Sequence, residues 1–539
     1  MKKPFLLYIS AALGILLLIV PARAELNQGT DENAAAILNR MATALGGLEK
    51  LRAIEGIYMR GKVEVAGLSG TVEDWQTAHG EHKQIVDLGD VYKQTTIFNG
   101  TRGWVMDRNN QISDLSGISL KEEILSSYLG SFSYLFLGRL PGKVMSAGED
   151  AGGKHFLLRV TPEGGSTALY AIDKTTLLPV SMEVSGSEGK TTTYFEDWRE
   201  VHGVKMPFRI RQVQPIPANN AVVQQESIEF TSIAATKFDR PESAAADFRF
   251  TNRRRSTRVP LGRNGYAIFV RARLNNSAPL WFVLDTGAGA SAIDARRAQA
   301  LGLKSAGNVG AGTTGGSTPV QFTTGVNFTL PGVKLINQTV ISTPFRKEVL
   351  QVKPNLGGIL GYDFISRFVV EIDYLHNTLT LYDPKTYRYE GPGKRVPISI
   401  DGTPFVSAEV KTSGHDPVTG RFEIDTGYDG AITLYQPFVK AHPVLQPPAE
   451  SERTMRQDLG HTSEAVRAPV ERFTLSGFSF SNLVANFTVT DEGAGANEDV
   501  AGLIGNKILS RFKVIFDYSR HEMILEPNIQ RARKSLRKR

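Results

Sequence analysis

A chain of 539 residues with 41% hydrophobic and 22% charged side chains exceeds what one core organises, and it is too balanced for disorder or for a multi-span membrane protein. It has no cysteine, which excludes disulfides, thiol catalysis and cysteine-ligated metal. The formal charge of +7 does not mark a nucleic-acid binder: Lys2, Lys3 and Arg23 at one end and Arg531, Arg533, Lys534, Arg537, Lys538 and Arg539 at the other more than account for it, leaving a slightly acidic body.

In chain order, the first predicted element is a signal peptide over residues 1–24. Lys2-Lys3, an apolar run from Phe5 to Val20 and Ala22-Arg23-Ala24 supply its charged start, core and cleavage site. The run is shorter than the ~20 residues that span a bilayer. The expectation is an exported protein, periplasmic or secreted, with a mature start at Glu25; the alternative is a retained anchor.

Residues 25–240 are predicted as an α+β domain with an antiparallel sheet. Ile37, Met41, Leu45 and Leu48 follow a helical stripe, whereas Ile57, Met59, Val63 and Val65 alternate as a half-buried strand does. Asn99-Gly100 marks a turn before a strand at Gly103. The apolar stretch 124–140 predicts a second helix, and 168–184 and 191–214 return to strand character. His79 and His82 lack further ligands nearby in sequence and are read as part of a solvent-exposed loop. Residues 241–258, with Pro, Ala and an arginine triplet, are read as a linker.

The remainder is a repeat. Phe282-Val283-Leu284-Asp285-Thr286-Gly287 returns as Phe422-Glu423-Ile424-Asp425-Thr426-Gly427. Downstream, Gly361, Arg367, Phe368, Asp373 and Tyr374 match Gly505, Arg511, Phe512, Asp517 and Tyr518 at a constant offset. Each triplet follows a hairpin-like pair of apolar runs. One Asp-Thr-Gly is an ordinary turn; two with matching flanks are a duplicated unit. The copies, residues 259–389 and 390–530, are predicted all-β, each with one short helix after the Leu360-Gly361 or Ile504-Gly505 step. Residues 531–539 form a basic tail, either solvated or in peripheral contact with an anionic membrane.

These motifs resemble the lobes of pepsin- and retropepsin-like aspartic proteases, over about half of the chain. The resemblance implies two fused lobes of the acid-protease β-barrel class, Asp285 and Asp425 as the catalytic pair, no cofactor or metal, a peptide or protein substrate, and a monomer. Two carboxylates about 3 Å apart cannot both ionise, so they share a proton and can activate water with one while protonating the substrate with the other. Gly287 and Gly427 let the two turns approach, and the resemblance implies that Thr286 and Thr426 hydrogen-bond across the axis. It also implies a flap, for which Gly310, Gly312, Gly315 and Gly316 are the candidates. Their spacing matches a dinucleotide-binding pattern, which fails because Pro319 and strand residues follow where a helix is needed.

The corresponding segment of the second copy has a single glycine, so one mobile cover is expected. Tyr428, where the first copy has Ala288, is expected to narrow a subsite or to fill a gap between lobes. Asp373 and Asp517 are assigned to turns. The N-terminal domain loosely resembles the periplasmic lipoprotein-carrier fold, a curved sheet closed by helices, which implies a site open to lipid or an acyl chain. The rival readings are a non-catalytic peptide- or lipid-binding envelope protein and an N-terminal pro-region that covers the cleft.

Overall fold

The computed structural model describes residues 31–136, 138–186, 189–242, 247–313, 316–351, 353–457, 462–490 and 493–528. The predicted signal peptide and the basic tail lie outside them. The chain divides into two compact units at residue 244.

In the N-terminal unit, helix Glu32–Ala44 starts at Asp31, whose carboxylate accepts from Ala34 N at 2.7 Å. It buries Ile37, Leu38 and Met41 along the predicted stripe. The sheet has thirteen antiparallel strands among the described residues. Its order runs from Ile112–Asp114 back through the sequence to Gly56–Val65, which pairs with Ala221–Phe230, and from there back to Gly142–Glu149. Two meanders are thus joined at their first and last strands. Helix Gly117–Gly130 connects the two outer edges and packs on strands from both meanders, so the sheet curves around it. The predicted second helix therefore starts earlier than its apolar run and stops at Gly130, where Phe132 turns into the left-handed region at φ 61°.

His82 departs from its expected place. It lies on strand His82–Asp87, 3% exposed, with Nδ1 2.5 Å from Glu123 Oε1 of the helix and Nε2 3.1 Å from Asp74 Oδ2. Strand alternation turns it inward, and the partners that stabilise a buried imidazole come from residues 8 and 41 positions away, which a local reading does not see. Burial alone would lower its pKa; the two carboxylates outweigh that and hold it well above the ordinary histidine value. Its stabilising contribution is then fully present below about pH 6.5 and is lost as pH rises through the elevated folded value. Glu123→Gln is expected to destabilise by about 1.5–3 kcal/mol at pH 6, and by less at pH 10, in urea titrations; an equal loss at both would exclude an imidazolium bridge.

The C-terminal unit opens with a correction. Phe248–Phe250, within the expected linker, is a strand paired with Val333–Leu335. Ser256–Asn264 also starts inside that range. The alternation that makes Phe248-Arg249-Phe250 a strand is too short to stand out among the surrounding arginines. Arg255 does face outward, and it reaches the buried carboxylate of Asp383.

Both copies use the same strand pairings. Leu280–Leu284 runs parallel to Leu356–Leu360, and Val418–Ile424 runs parallel to Gly502–Ile504. Ala292–Asp294 and Ile432–Leu434 each sit between a parallel and an antiparallel neighbour. The copies meet in one sheet through the antiparallel pair Val369–Asp373 and Phe512–Asp517, where Glu371 faces Ile515. These two positions are equivalent in the repeat, so a local two-fold passes between them. The short helices Tyr362–Ile365 and Asn506–Leu509 follow their glycines as expected. Ala295–Ala300, Lys347–Gln351 and Gln436–Ala441 add helices that the strand-rich pattern did not signal.

Candidate active site

Each Asp-Thr-Gly lies just past the end of a strand, Leu280–Leu284, which alternates buried and half-buried positions, or Val418–Ile424, whose last three residues are buried. Asp285 N donates to Leu360 O at 3.0 Å and Asp425 N to Ile504 O at 2.9 Å, so the apolar-apolar-Gly step of each copy fixes its own aspartate. Within each turn the glycine N–H returns to the carboxylate: Gly287 N to Asp285 Oδ1 at 2.9 Å, and Gly427 N to Asp425 Oδ1 at 2.8 Å.

The threonines tie the two turns together. Thr286 N donates to Thr426 Oγ1 at 3.0 Å and Thr426 N to Thr286 Oγ1 at 2.9 Å; each hydroxyl then donates to a carbonyl of the other copy, Ile424 O at 2.7 Å and Leu284 O at 2.8 Å. Four reciprocal hydrogen bonds between buried groups leave the turns little freedom to separate. The approach leaves no room for side chains at the glycines. A Cβ on Gly287 would stand 2.6 Å from Asp425 Cγ, and one on Gly427 would stand 2.5 Å from Asp285 Oδ2.

The glycine of each turn lies against the carboxyl of the other, so the two carboxyl groups stand close together, where like charges disfavour ionising both. Burial, then the Asp425 carboxylate, push Asp285 up to about 8. Glu423 contributes in the same direction. Glu423 is 2% exposed, two residues before Asp425, where the first copy has Val283. No group of three or more potential metal ligands occurs among the described residues.

Of the flap candidates, Gly310, Gly312 and Gly316 lie on the hairpin Ser305–Thr313 and Gly316–Leu330, and Gly315 falls outside the described residues. The second copy forms a hairpin too, Glu452–Gln457 with Thr462–Leu475. Alternating β-formers build this hairpin without a glycine-rich arm. The first hairpin meets the turn Gly493–Ala496 of the second copy, where a Cβ on Gly493 would stand 2.5 Å from Gly316 N.

Tyr428 fills a gap inside its own copy. Its ring packs against Phe405, Tyr435, Val500 and Leu503, and its hydroxyl accepts from Asn486 Nδ2 at 2.6 Å. Asp373 and Asp517 serve turns, accepting from Leu375 N and His376 N and from Ser519 Oγ. Sequence reading overlooked Asn506. Its Oδ1 accepts from Tyr374 of the first copy at 2.6 Å, and its Nδ2 donates to Thr426 O at 2.6 Å. The available signal was the mismatch of Asn506 with Tyr362 at equivalent positions of the repeat. Ser291 and Asp363 were overlooked as well; Asp363 accepts from Ser291 N at 2.8 Å, next to Gly361.

Residues 270–364 match the aspartyl protease family. The matched span holds the first triplet and the Ile359-Leu360-Gly361 step. A comparison with curated proteins gives no match. Two similar solved structures align with the N-terminal part of this chain. A DUF1329 family protein from Desulfovibrio piger ATCC 29098 is 13% identical with a TM-score of 0.29, covering 39% of this chain and 96% of its own. A domain named for outer membrane lipoprotein sorting, from Vibrio parahaemolyticus, is 11% identical with a TM-score of 0.27, covering 39% and 97%. No helix among the described residues is long and apolar enough to cross a membrane.

Inside the N-terminal unit, the sheet face under helix Gly117–Gly130 carries Asp74, Gln76, His82, Gln84, Gln94 and Thr96, all buried. Gln84 Nε2 donates to Asp74 Oδ2 at 3.0 Å, and Tyr92 donates to Gln94 Oε1 at 2.6 Å. The same face carries buried Val72, Val86 and Phe98.

Proposed function

We propose that the C-terminal unit is a two-lobed, single-chain aspartic-type endopeptidase of an exported protein. The observation that carries this reading is the close approach of the two Asp-Thr-Gly turns, each glycine against the other turn's carboxyl, locked by Thr286 and Thr426. In the resting state one carboxyl is protonated and the other ionised. The ionised one takes a proton from a water whose oxygen attacks the peptide carbonyl carbon, while the protonated one gives its proton to the carbonyl oxygen. The resulting diol collapses, the C–N bond breaks, the leaving nitrogen takes a proton from the dyad, and the starting protonation returns. Gly287 N–H and Gly427 N–H each hold Oδ1 of the aspartate in their own turn and so orient its carboxyl.

The shared proton sets the working range. With Asp285 held to about 8, cleavage is expected to persist at neutral pH and to fall as pH rises through about 8, where the dyad loses its proton. The test is digestion of a mixed peptide library from pH 3 to 10, with and without a transition-state-mimicking aspartic protease inhibitor. Inhibitor-sensitive cleavage with an alkaline midpoint near 8 supports the reading. No cleavage at any pH transfers the assignment to a peptide-binding cleft, and an alkaline midpoint below 6 overturns the electrostatic account of the dyad.

A further inference from the structure

On the outer face of the N-terminal sheet, Tyr58, Trp75, Lys83 and Ile97 form one cross-strand row over four strands, each paired with the next. Strand alternation puts this row opposite the buried face that carries Asp74, His82 and Gln84. Tyr58 and Trp75 stack with ring centroids 5.1 Å apart and planes 25° from parallel, forming a flat aromatic wall. The segment Thr231–Pro241 packs Phe238 and Ile233 over the Ile97 end of the row and leaves a pocket of about 600 Å³ beside it.

The charges around this pocket are unbalanced. Lys237 Nζ stands 4.0 Å from the centroid of Trp75, and Lys83 Nζ donates to Lys237 O at 3.4 Å, so two ammonium groups are held on the same side of the aromatic wall. Arg240 lines the pocket as well, as does Asp239. Among the described residues, none of Lys83, Lys237 and Arg240 forms an ion pair. Glu73, on the same sheet face, is engaged by the Tyr58 hydroxyl at 2.6 Å. Burial and the neighbouring Lys237 hold Lys83 below the ordinary lysine value. Asp239 offsets only part of this charge; holding the two ammonium groups together costs free energy, and an anion placed between them recovers it.

We propose that this pocket is a binding site for a small organic anion, a carboxylate joined to a flat or apolar group. The carboxylate lies between Lys83 and Lys237, and the apolar group lies on Trp75. The volume is in the range of small-molecule sites. Ile97 and Ile233 supply apolar lining beside the aromatic wall. This site is independent of the aspartate pair and does not depend on the proposed peptidase activity.

The test uses the purified full chain and phenylacetate as probe, read by calorimetry and by quenching of tryptophan fluorescence. Phenylacetamide, of the same shape without the charge, and inorganic phosphate, with charge but no ring, are the controls. Phenylacetate is expected to bind with a Kd of about 1 mM or tighter. Phenylacetamide is expected to bind at least about tenfold more weakly, a difference of 1.4 kcal/mol. Lys237→Met, which keeps the backbone carbonyl that Lys83 uses, is expected to weaken phenylacetate about tenfold, and Trp75→Phe to remove the quenching. Circular dichroism of both variants checks that the sheet is intact. Equal affinity for acid and amide, or an unchanged Kd in folded Lys237→Met, would overturn the site. Phosphate binding as tightly as phenylacetate would overturn the organic part of the proposal and leave an inorganic anion site.

Discussion

Asp285→Asn is expected to lower kcat/KM for peptide cleavage by at least about 10³-fold, and the same change at Asp425 should do so equally. Neither carboxyl works alone: the amide keeps the shape and some of the hydrogen bonds but cannot exchange the proton that cycles between water, substrate and dyad. The same variant should change stability in the opposite direction. The folded pKa of Asp285 lies near 8 against an unfolded value near 3.8, so the folded state binds a proton more tightly than the unfolded state. Stability therefore falls as pH rises from about 4 to about 8. Asn has no proton to lose, so Asp285→Asn should melt higher than the parent at pH 8 and show little gain at pH 4. For a unit of this size each kcal/mol recovered raises Tm by about 2–4 °C. An inactive variant that gains no stability at pH 8 would mean that the two carboxyls are not packed as a buried pair, and retained cleavage in both variants would remove the proposed mechanism.

The second large effect is expected at Asp247, far in sequence from the triplets. Arg367 has a fully buried side chain, and its Nε donates to the two oxygens of Asp247 at 2.8 and 3.0 Å. Gln338 Nε2 also donates to Asp247, at 3.1 Å. Phe248 and Phe250 follow directly and pack edge-on against Phe368 at 5.0 and 5.8 Å. Asp247→Ala strands a buried guanidinium without its carboxylate, which costs about 3–5 kcal/mol. Urea unfolding followed by tyrosine and tryptophan fluorescence would show it as a lower midpoint. Arg367→Met should cost less than Asp247→Ala, because it removes the charge instead of isolating it. A loss below about 0.5 kcal/mol for Asp247→Ala would mean that the segment ahead of Ser256 does not clamp the first repeat.

The two predictions differ in how much of them was legible beforehand. The aspartate pair was. Duplication wrote the same turn twice with the same flanking strands, and a pair of triplets that must each end a buried strand has few ways to be arranged. The reciprocal threonine bonds and the glycine contacts follow once the turns face each other. The Asp247–Arg367 clamp was not legible, because Arg367 matches Arg511 in the repeat while, among the described residues, only Arg367 of the two pairs with a carboxylate, supplied from 120 positions away.

The sequence by itself determined the repeat, the strand character of both copies, the helix stripe of Glu32–Ala44 and the positions of Asp285 and Asp425. Periodicity and duplication record which side of an element is buried, and they are local. Tertiary structure decided which polar groups are buried together. It placed His82 between Asp74 and Glu123, put Glu423 under the aspartate pair, turned part of a supposed linker into a strand and gathered Lys83 and Lys237 beside Trp75. A buried charge is stable only beside a partner, and that partner is fixed by strand register and chain path, which are not recorded in the residues on either side of it.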